Sequence, residues 1–267
     1  PPRRRLPLAV AATCSYFRCV HASPTTSTAG YPGRLVSSSS PRPLPVPLQA
    51  RPWRLSSCYG HREWAAAPRS SRAIGGGSFS ARVLVHPNNP DGRMWTVADL
   101  SAKLNIIDES FADVAPDQSL MATATRPGTL ILKSFGKFWG LAGLRLGFVI
   151  GDPRLIAQLR EMLGPWPVSG IALAVGVAAL RDRAWAEKTR FRLNADAARL
   201  DALVTSKGAE VLGGTSLFRL YGVQDAATWQ DRLAHHHIWS RCFPYTTNWL
   251  RLGLPHPDHW NRLEEAL

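Results

Sequence analysis

The sequence has few cysteines and no long apolar run. Its 267 residues include four cysteines, Cys14, Cys19, Cys58 and Cys242. None of them forms the paired C-x-x-C spacing of a zinc site, and their number does not suggest a disulfide framework. No apolar run reaches the roughly 18–20 residues that a membrane-spanning helix needs. The sequence therefore gives no support for a structural metal, a disulfide scaffold or a membrane-spanning segment.

Acidic residues and lysine are almost absent from the first 82 residues. This segment contains twelve Arg, no Lys and no Asp, and its single acidic residue is Glu63, so its formal charge is +11. Residues 83–267 contain 20 basic and 18 acidic side chains, a formal charge of +2. The strongly basic character of the chain therefore belongs to segment 1–82 and not to the remainder.

Segment 1–82 is also rich in Pro and Ser and has neither a strand nor a helix period. Such a composition buries too little apolar surface to offset chain entropy. Three interpretations compete: a targeting leader, a basic arm for nucleic acid, and a GC-rich gene read out of frame. A nucleic-acid arm would interleave lysines and aromatics, so we expect no nucleic-acid partner. We favour the third interpretation and expect a segment that is disordered or out of frame.

Residues 134–147, SFGKFWGLAGLRLG, place Lys137 among glycines. A lysine in a tight, partly dry turn can lose its proton and attack a carbonyl, forming a Schiff base. Ser134 precedes it by three residues and Arg145 follows it by eight, and a hydroxyl with a guanidinium suits a phosphate. An aldehyde and a phosphate on one ligand indicate pyridoxal 5′-phosphate. Taken alone, the segment is equally compatible with a glycine-rich turn that carries a solvated lysine.

Two upstream apolar runs end in polar residues. Residues 83–85 lead into a turn that contains Asn89, and residues 104–107 lead into Asp108. Side chains at the carboxyl ends of strands reach the crevice where open α/β sheets bind ligands. A carboxylate there can keep a pyridine nitrogen protonated, so that the ring acts as an electron sink. Taken singly, Asn89 would be a turn residue and Asp108 a helix cap. Together with the lysine and arginine of residues 134–147 they form the order amide, acid, lysine, arginine along the chain, which predicts a pyridoxal-phosphate site.

With these motifs the chain resembles the fold-type I pyridoxal-phosphate enzymes of the class I/II aminotransferase group. Within the group it is most similar to the cobalamin-pathway threonine-phosphate decarboxylases, which are relatives of histidinol-phosphate aminotransferase. The resemblance runs from about residue 83 to the C-terminus. It is carried by PNNPDG (87–92), DESFADVAP (108–116), SFGKFWGLAGLRLGF (134–148), GGTSLFRL (213–220) and WLRLGLP (249–255).

The resemblance implies a cofactor role for five residues. Lys137 would bind pyridoxal phosphate covalently and act as the catalytic lysine. Asp108 would pair with the pyridine nitrogen, and Asn89 would bond the phenolic oxygen. Ser134 and Arg145 would hold the phosphate of the cofactor.

The resemblance also implies two substrate-binding residues, Arg251 for the substrate carboxylate and Arg241 for its other anionic end. No metal is expected. The tripeptide 235–237, His-His-His, is predicted to be a solvated helix end, since three consecutive side chains cannot face one ion. Many relatives carry tyrosine three residues after the aspartate, where this chain has Phe111.

The implied activity is decarboxylation of L-threonine O-3-phosphate to aminopropanol phosphate for cobalamin biosynthesis, in a cytoplasmic homodimer. The arginines that orient the substrate decide which bond at Cα breaks. The residues therefore leave open a histidinol-phosphate-type aminotransferase. A non-enzymatic alternative also stays open: an inactive relic of such an enzyme, or a basic binding protein that acts through segment 1–82.

The predicted fold is α/β and fold-type I: a mainly parallel large domain, atypical or incomplete at its N-terminal end, and a small α+β C-terminal domain. We expect the partial cofactor-binding domain at 83–180 and the small domain at 181–267. Fifteen residues separate Gly92 from Asp108, which leaves room for only a shortened helix. The predicted strands are 129–133, 146–150, 216–221 and 249–252, and the predicted helices are 153–163, 171–180 (buried), 181–206 and 226–234.

Overall fold

The computed structural model describes the backbone of residues 8–13 and 55–56 and all atoms of residues 81–267. Two sheets organise this part of the chain. The prediction of a disordered or out-of-frame segment 1–82 falls mostly outside the described residues and stays a prediction. Within that segment, residues 8–13 and 55–56 form two strands, and residues 81–82 begin a third. All three strands belong to the larger sheet.

The larger sheet has six strands in the order β1-β6-β5-β4-β3-β2. Strands β2, β3, β4 and β5 are parallel, whereas β6 is antiparallel to both β5 and β1. Parallel pairing brings the carboxyl ends of β3, β4 and β5 to one edge of the sheet. The strands are β1 (Leu8–Thr13), β2 (Leu55–Ser56), β3 (Ala81–Val85), β4 (Leu104–Asp108), β5 (Thr129–Ser134) and β6 (Leu146–Gly151).

A row of aliphatic side chains across three strands forms the core of this sheet. Leu84, Ile107 and Ile131 are direct neighbours in the strand register and are buried. Trp95 packs against the same cluster and donates its indole N–H to the carbonyl of Val85 at 2.7 Å. The row therefore forms a continuous apolar layer beneath the carboxyl ends of the strands.

The segment between β3 and β4 has one 3-10 turn, Val97–Asp99, in place of a full helix. This agrees with the short spacing in the sequence. Trp95, which precedes the turn, fills the space against Ile107 that a longer helix would otherwise cover. The short connection thus contributes a large aromatic side chain to the cluster that contains Ile107, the neighbour of Asp108.

Three helices follow the larger sheet: α1 (Pro153–Leu163), α2 (Gly170–Arg181) and α3 (Arg183–Thr205). The predicted bounds of α1 are confirmed. Asp152 caps it by accepting a hydrogen bond from the backbone N–H of Arg154, and proline occupies the first helical position.

The expectation that α2 is buried is wrong. Its buried residues are Ala172 and Gly176, whereas the side chain of Ile171 is 77% exposed. A Cβ atom on Gly176 would lie 2.4 Å from Cδ2 of Leu146, so the helix approaches β6 through its small residues. This close approach turns the branched side chains of α2 outward.

The smaller sheet has four antiparallel strands in the order β7-β8-β10-β9. Helix α3 contributes Leu200 and Val204 to its core, where they pack with Tyr221, Leu233 and Leu250. Strand β7 was not predicted, because two glycines interrupt its apolar pattern. The elements are β7 (Glu210–Thr215), β8 (Phe218–Gly222), α4 (Ala226–His235), β9 (Arg241–Phe243), β10 (Thr246–Gly253) and α5 (Trp260–Ala266).

The loop that follows β3 crosses the backbone of β7 at very short range. The N–H of Gly214 donates to the carbonyl of Asp91 at 2.9 Å. A Cβ atom on Gly92 would lie 1.9 Å from the carbonyl oxygen of Gly214, and one on Gly213 would lie 2.2 Å from that of Asp91. Only residues without a side chain allow this contact, which joins the two sheets beside Asn89.

Substitution of Gly92 by alanine should destabilise the chain strongly. Its φ of +71° is left-handed, and the added methyl group would overlap the backbone of β7. Gly208 is the matched control, because it has a φ of +88° but open space around its Cα. We expect Gly208→Ala to lower the free energy of unfolding by about 1 kcal/mol, and Gly92→Ala by about 2 kcal/mol more. Urea unfolding followed by circular dichroism measures both; equal losses would contradict the proposed overlap.

Candidate active site

Lys137 lies in a closed turn at the carboxyl end of β5. The N–H of Gly140 donates to the carbonyl of Lys137 at 3.0 Å, and the N–H of Leu141 donates to that of Phe135 at 2.9 Å. Gly140 has a left-handed φ of +68°. The glycines of the sequence motif thus serve to fold the chain back sharply around the lysine.

A pair of phenyl rings links Lys137 to the smaller sheet. The amine of Lys137 lies 5.3 Å from the ring centre of Phe111, in the turn after β4. Phe111 contacts Phe218 of β8 edge to face at 5.1 Å, and the guanidinium of Arg251 lies 5.3 Å from the ring centre of Phe218. Aromatic faces attract cations. The two rings therefore form a wall with the lysine at one end and the arginine at the other.

Arg251 also contacts the loop after β3. Its Nη1 donates a hydrogen bond to Oδ1 of Asn89, across the boundary between the two sheets. Arg241 of β9 is the register partner of Arg251 on β10. Directly opposed residues of antiparallel strands have their side chains on the same face. Two of the predicted site residues are thus bonded to each other, and a third is placed beside them.

Asp108 is the last residue of β4, and its side chain is partly buried. Its Oδ1 accepts hydrogen bonds from the backbone N–H of Ser110 at 3.0 Å and from the hydroxyl of Ser110 at 2.5 Å. The acid is held at the strand end, as predicted, and also stabilises the turn that carries Phe111.

Ser134 and Arg145 flank the lysine turn. The hydroxyl of Ser134 accepts a hydrogen bond from the N–H of Gly136 at 3.1 Å. Arg145 is exposed and has a φ of 54°, a left-handed conformation that is uncommon for a residue with a side chain. Such strain is concentrated at functional sites. The structure gives no contact between the two side chains, so their joint role as a phosphate site stays a prediction.

Two aromatic residues near the arginines were not identified from the sequence. Phe218 lies in the GGTSLFRL motif, but only its position between Phe111 and Arg251 indicates a role. The ring of Tyr245 lies 5.4 Å from that of Phe243, and the guanidinium of Arg241 lies 5.0 Å from the ring centre of Phe243. Burial raises the pKa of Tyr245, and Asp91 adds to the rise, while the charges of Arg241 and Arg251 act in the opposite direction. In the sequence, these aromatic residues are marked only by an arginine a few positions away. That pattern is too common to identify residues of a binding site.

The side chains at this edge suit pyridoxal phosphate. An amine can combine with the aldehyde, a carboxylate can pair with the pyridine nitrogen, and an amide can bond the phenolic oxygen. A hydroxyl and a guanidinium near the turn suit the phosphate. These groups come from the ends of three neighbouring strands and from the lysine turn: Asn89, Asp108, Ser134, Lys137 and Arg145.

No group of three or more His, Cys, Asp or Glu side chains that could hold a metal occurs in the described part of the chain. The histidines 235–237 lie at the end of α4, where His235 and His237 are exposed, as predicted. Among the described helices, none is long and apolar enough to cross a membrane.

Comparison with known proteins supports this assignment. A family model described as aminotransferase class I and II matches residues 76–266. The threonine-phosphate decarboxylase of Pseudomonas aeruginosa is 40% identical over 232 residues, which cover 80% of this chain and 70% of that protein. Histidinol-phosphate aminotransferase 3 of Mesorhizobium japonicum is 30% identical over 171 residues, which cover 61% of this chain and 46% of that protein.

A solved structure has the same fold. The histidinol-phosphate aminotransferase of Sinorhizobium meliloti, crystallised in complex with pyridoxal-5′-phosphate, superposes with a TM-score of 0.61 at 22% identity. The superposition covers 71% of this chain and 56% of that structure. The present chain thus spans a little over half of this neighbour and 70% of the Pseudomonas relative. The predicted family, fold and cofactor class are confirmed: the chain belongs to the class I and II aminotransferase family of pyridoxal-phosphate enzymes.

Proposed function

We propose that the chain decarboxylates L-threonine O-3-phosphate, releasing CO₂ and forming aminopropanol phosphate. The observation that carries the proposal is the arrangement of Lys137 and Arg251 at opposite ends of the Phe111–Phe218 pair, with Arg241 beside Arg251. The 40% identity to a threonine-phosphate decarboxylase supports this substrate. Use of the product in cobalamin biosynthesis and a cytoplasmic location belong to the same proposal.

In this proposal Lys137 binds the cofactor covalently, and Asp108 and Asn89 hold its ring. Ser134 and Arg145 hold its phosphate. When bound, pyridoxal phosphate supplies an electron sink that stabilises negative charge at the substrate Cα. The side chains of the protein orient the substrate and exclude water.

The two arginines of the smaller sheet suit a substrate with two anionic groups. Arg251 binds the carboxylate with its planar fork, and Arg241 binds the phosphate. Both are placed on strands, β10 and β9, and Arg251 is further held by Asn89 and by the face of Phe218. A substrate gripped at both ends has a fixed orientation of its Cα bonds, which decides the bond that breaks.

A second candidate is a histidinol-phosphate-type aminotransferase. It uses the same residues and a substrate that is also phosphorylated, and a relative with that name is 30% identical. In this reaction the Cα proton is lost, and the amine of Lys137, once free, can accept it. The difference between the two reactions lies in substrate orientation and not in the set of side chains.

Titration of the purified chain with pyridoxal phosphate tests whether Lys137 carries the cofactor. We expect a visible absorption band that survives dialysis, because a covalent bond to the amine holds the cofactor. Lys137→Ala should abolish the band, and the exposed Lys207 provides the control variant Lys207→Ala, which should retain it. A folded wild-type chain without the band would be a non-catalytic relic, and the enzyme proposal would fail.

Incubation with L-threonine O-3-phosphate separates the two reactions. For the decarboxylase we expect CO₂ release without any keto-acid acceptor, since the amino group stays on the product. For the aminotransferase, turnover of histidinol phosphate should require an acceptor such as 2-oxoglutarate. Strict dependence on the acceptor would overturn the decarboxylase proposal.

Arg241→Ala should raise the KM for threonine phosphate by roughly tenfold or more, through loss of a charge-assisted hydrogen bond.

A homodimer, as the resemblance implies, is part of the proposal. The outward face of α2 supports it, because Ile171 and Val175, one helical turn apart, are 77% and 37% exposed and contiguous apolar patches mark interaction sites. Light scattering coupled to gel filtration should give twice the mass of one chain. Ile171→Glu should shift the population toward monomer, whereas Phe191→Glu, at an equally exposed site on α3, should not. A monomeric wild-type chain would contradict the homodimer.

A further inference from the structure

A network of charged groups lies directly behind the candidate site. Glu109 follows Asp108 and is completely buried. Its carboxylate accepts hydrogen bonds from the backbone N–H of Leu120 at 2.6 Å and from the hydroxyl of Ser119 at 2.7 Å. The amine of Lys133, which precedes Ser134 on β5, lies 3.3 Å from it. A buried carboxylate is costly unless it is paired, so Lys133 is held at the end of β5.

The same lysine binds a second carboxylate. The amine of Lys133 lies 2.7 Å from Oδ1 of Asp113, in the turn after β4, and both side chains are less than one-fifth exposed. Lys133 therefore ties β5 to the chain on both sides of Phe111. The carbonyl of Asp113 in turn accepts a hydrogen bond from Nε of Arg190 on α3 at 2.7 Å.

Asp113 connects this ion pair to the lysine turn. Its Oδ2 accepts a hydrogen bond from the indole N–H of Trp139 at 3.0 Å, and Trp139 is two residues beyond Lys137. The indole stacks between Phe135 and Trp185, with ring centres 5.7 Å apart in both pairs. Stacking holds the plane of a ring but lets the ring slide, whereas a hydrogen bond to a charged acceptor fixes its position.

We propose that Trp139, Asp113 and Lys133 are positioning residues, which hold the Lys137 turn in register with the carboxyl end of β4. The inference rests on the proposed role of Lys137 in cofactor binding. On its N-terminal side the turn is fixed by Ser134 at the end of β5 and by the N–H of Phe135, which donates to the carbonyl of Leu146 on β6. On the C-terminal side Trp139 fixes it through Asp113. The amine of Lys137 is thereby presented over Phe111.

The direct test compares two conservative changes in one aromatic stack. Trp139→Phe keeps an aromatic ring but removes the donor to Asp113, whereas Trp185→Phe changes the neighbouring indole without touching Asp113. Equilibrium dialysis of the full chain should give a dissociation constant for pyridoxal phosphate about tenfold higher in Trp139→Phe, the order expected for one hydrogen bond to a charged group. Trp185→Phe should bind like the wild type.

The pH dependence of the visible band provides a second readout, since it reports the surroundings of the bound lysine and not overall folding. Its midpoint should move in Trp139→Phe and stay in Trp185→Phe. Equal affinities and equal midpoints in the two variants would overturn the inference. A wild-type chain that binds no pyridoxal phosphate would instead overturn the proposed function, so the two failures are distinct.

Lys133 gives an independent pair of variants should Trp139→Phe not fold. Lys133→Arg keeps a cation between Glu109 and Asp113, whereas Lys133→Met leaves both carboxylates without it. We expect Lys133→Arg to retain cofactor affinity within about twofold and Lys133→Met to lose roughly tenfold or more. Retention of affinity by Lys133→Met would show that the ion pairs do not position the turn.

Discussion

The parallel pairing of β3, β4 and β5 is the constraint on which the rest of the site depends. Because the three strands run in one direction, their carboxyl ends share one edge, and the residues that follow them are neighbours in space. The row formed by Leu84, Ile107 and Ile131 stabilises this alignment from below. An amide, an acid and a hydroxyl that are far apart in the chain are thereby placed along one line.

The two sheets are joined where this edge meets β7 and β10. Crossing of the Gly92 and Gly214 backbones allows the loop after β3 to lie against β7. The hydrogen bond from Arg251 to Asn89 and the Phe111–Phe218 contact span the same boundary. Groups proposed to bind the cofactor and groups proposed to bind the substrate therefore belong to one connected arrangement, and a shift of either sheet would separate them.

Local chemistry made much of the fold predictable. Asp152 followed by proline specifies the start of α1, and the helix begins there because a cap and a preset φ act within a few residues. The lysine turn is specified by its glycines for the same reason. The burial of α2 was predicted wrongly, because hydropathy reports what a helix could bury and not which face meets the sheet; the small side chains at Ala172 and Gly176 decided that. Strand β7 was missed because its glycines serve a contact with Asp91 that lies far away in the sequence.

The sequence by itself determined the identity of the chemistry: a lysine among glycines, with an amide, an acid and arginines in a recognisable order. Those residues could be named because each motif is short and local. Only the tertiary structure decided which of them meet, since the contacts of Arg251 with Asn89 and of Phe111 with Phe218 depend on the crossing of two sheets. It also revealed the Glu109–Lys133–Asp113–Trp139 network. The charged groups Glu109, Asp113 and Lys133 span 25 residues of chain and form no periodic pattern. Their pairing follows from burial, because a buried ion needs a partner of opposite charge.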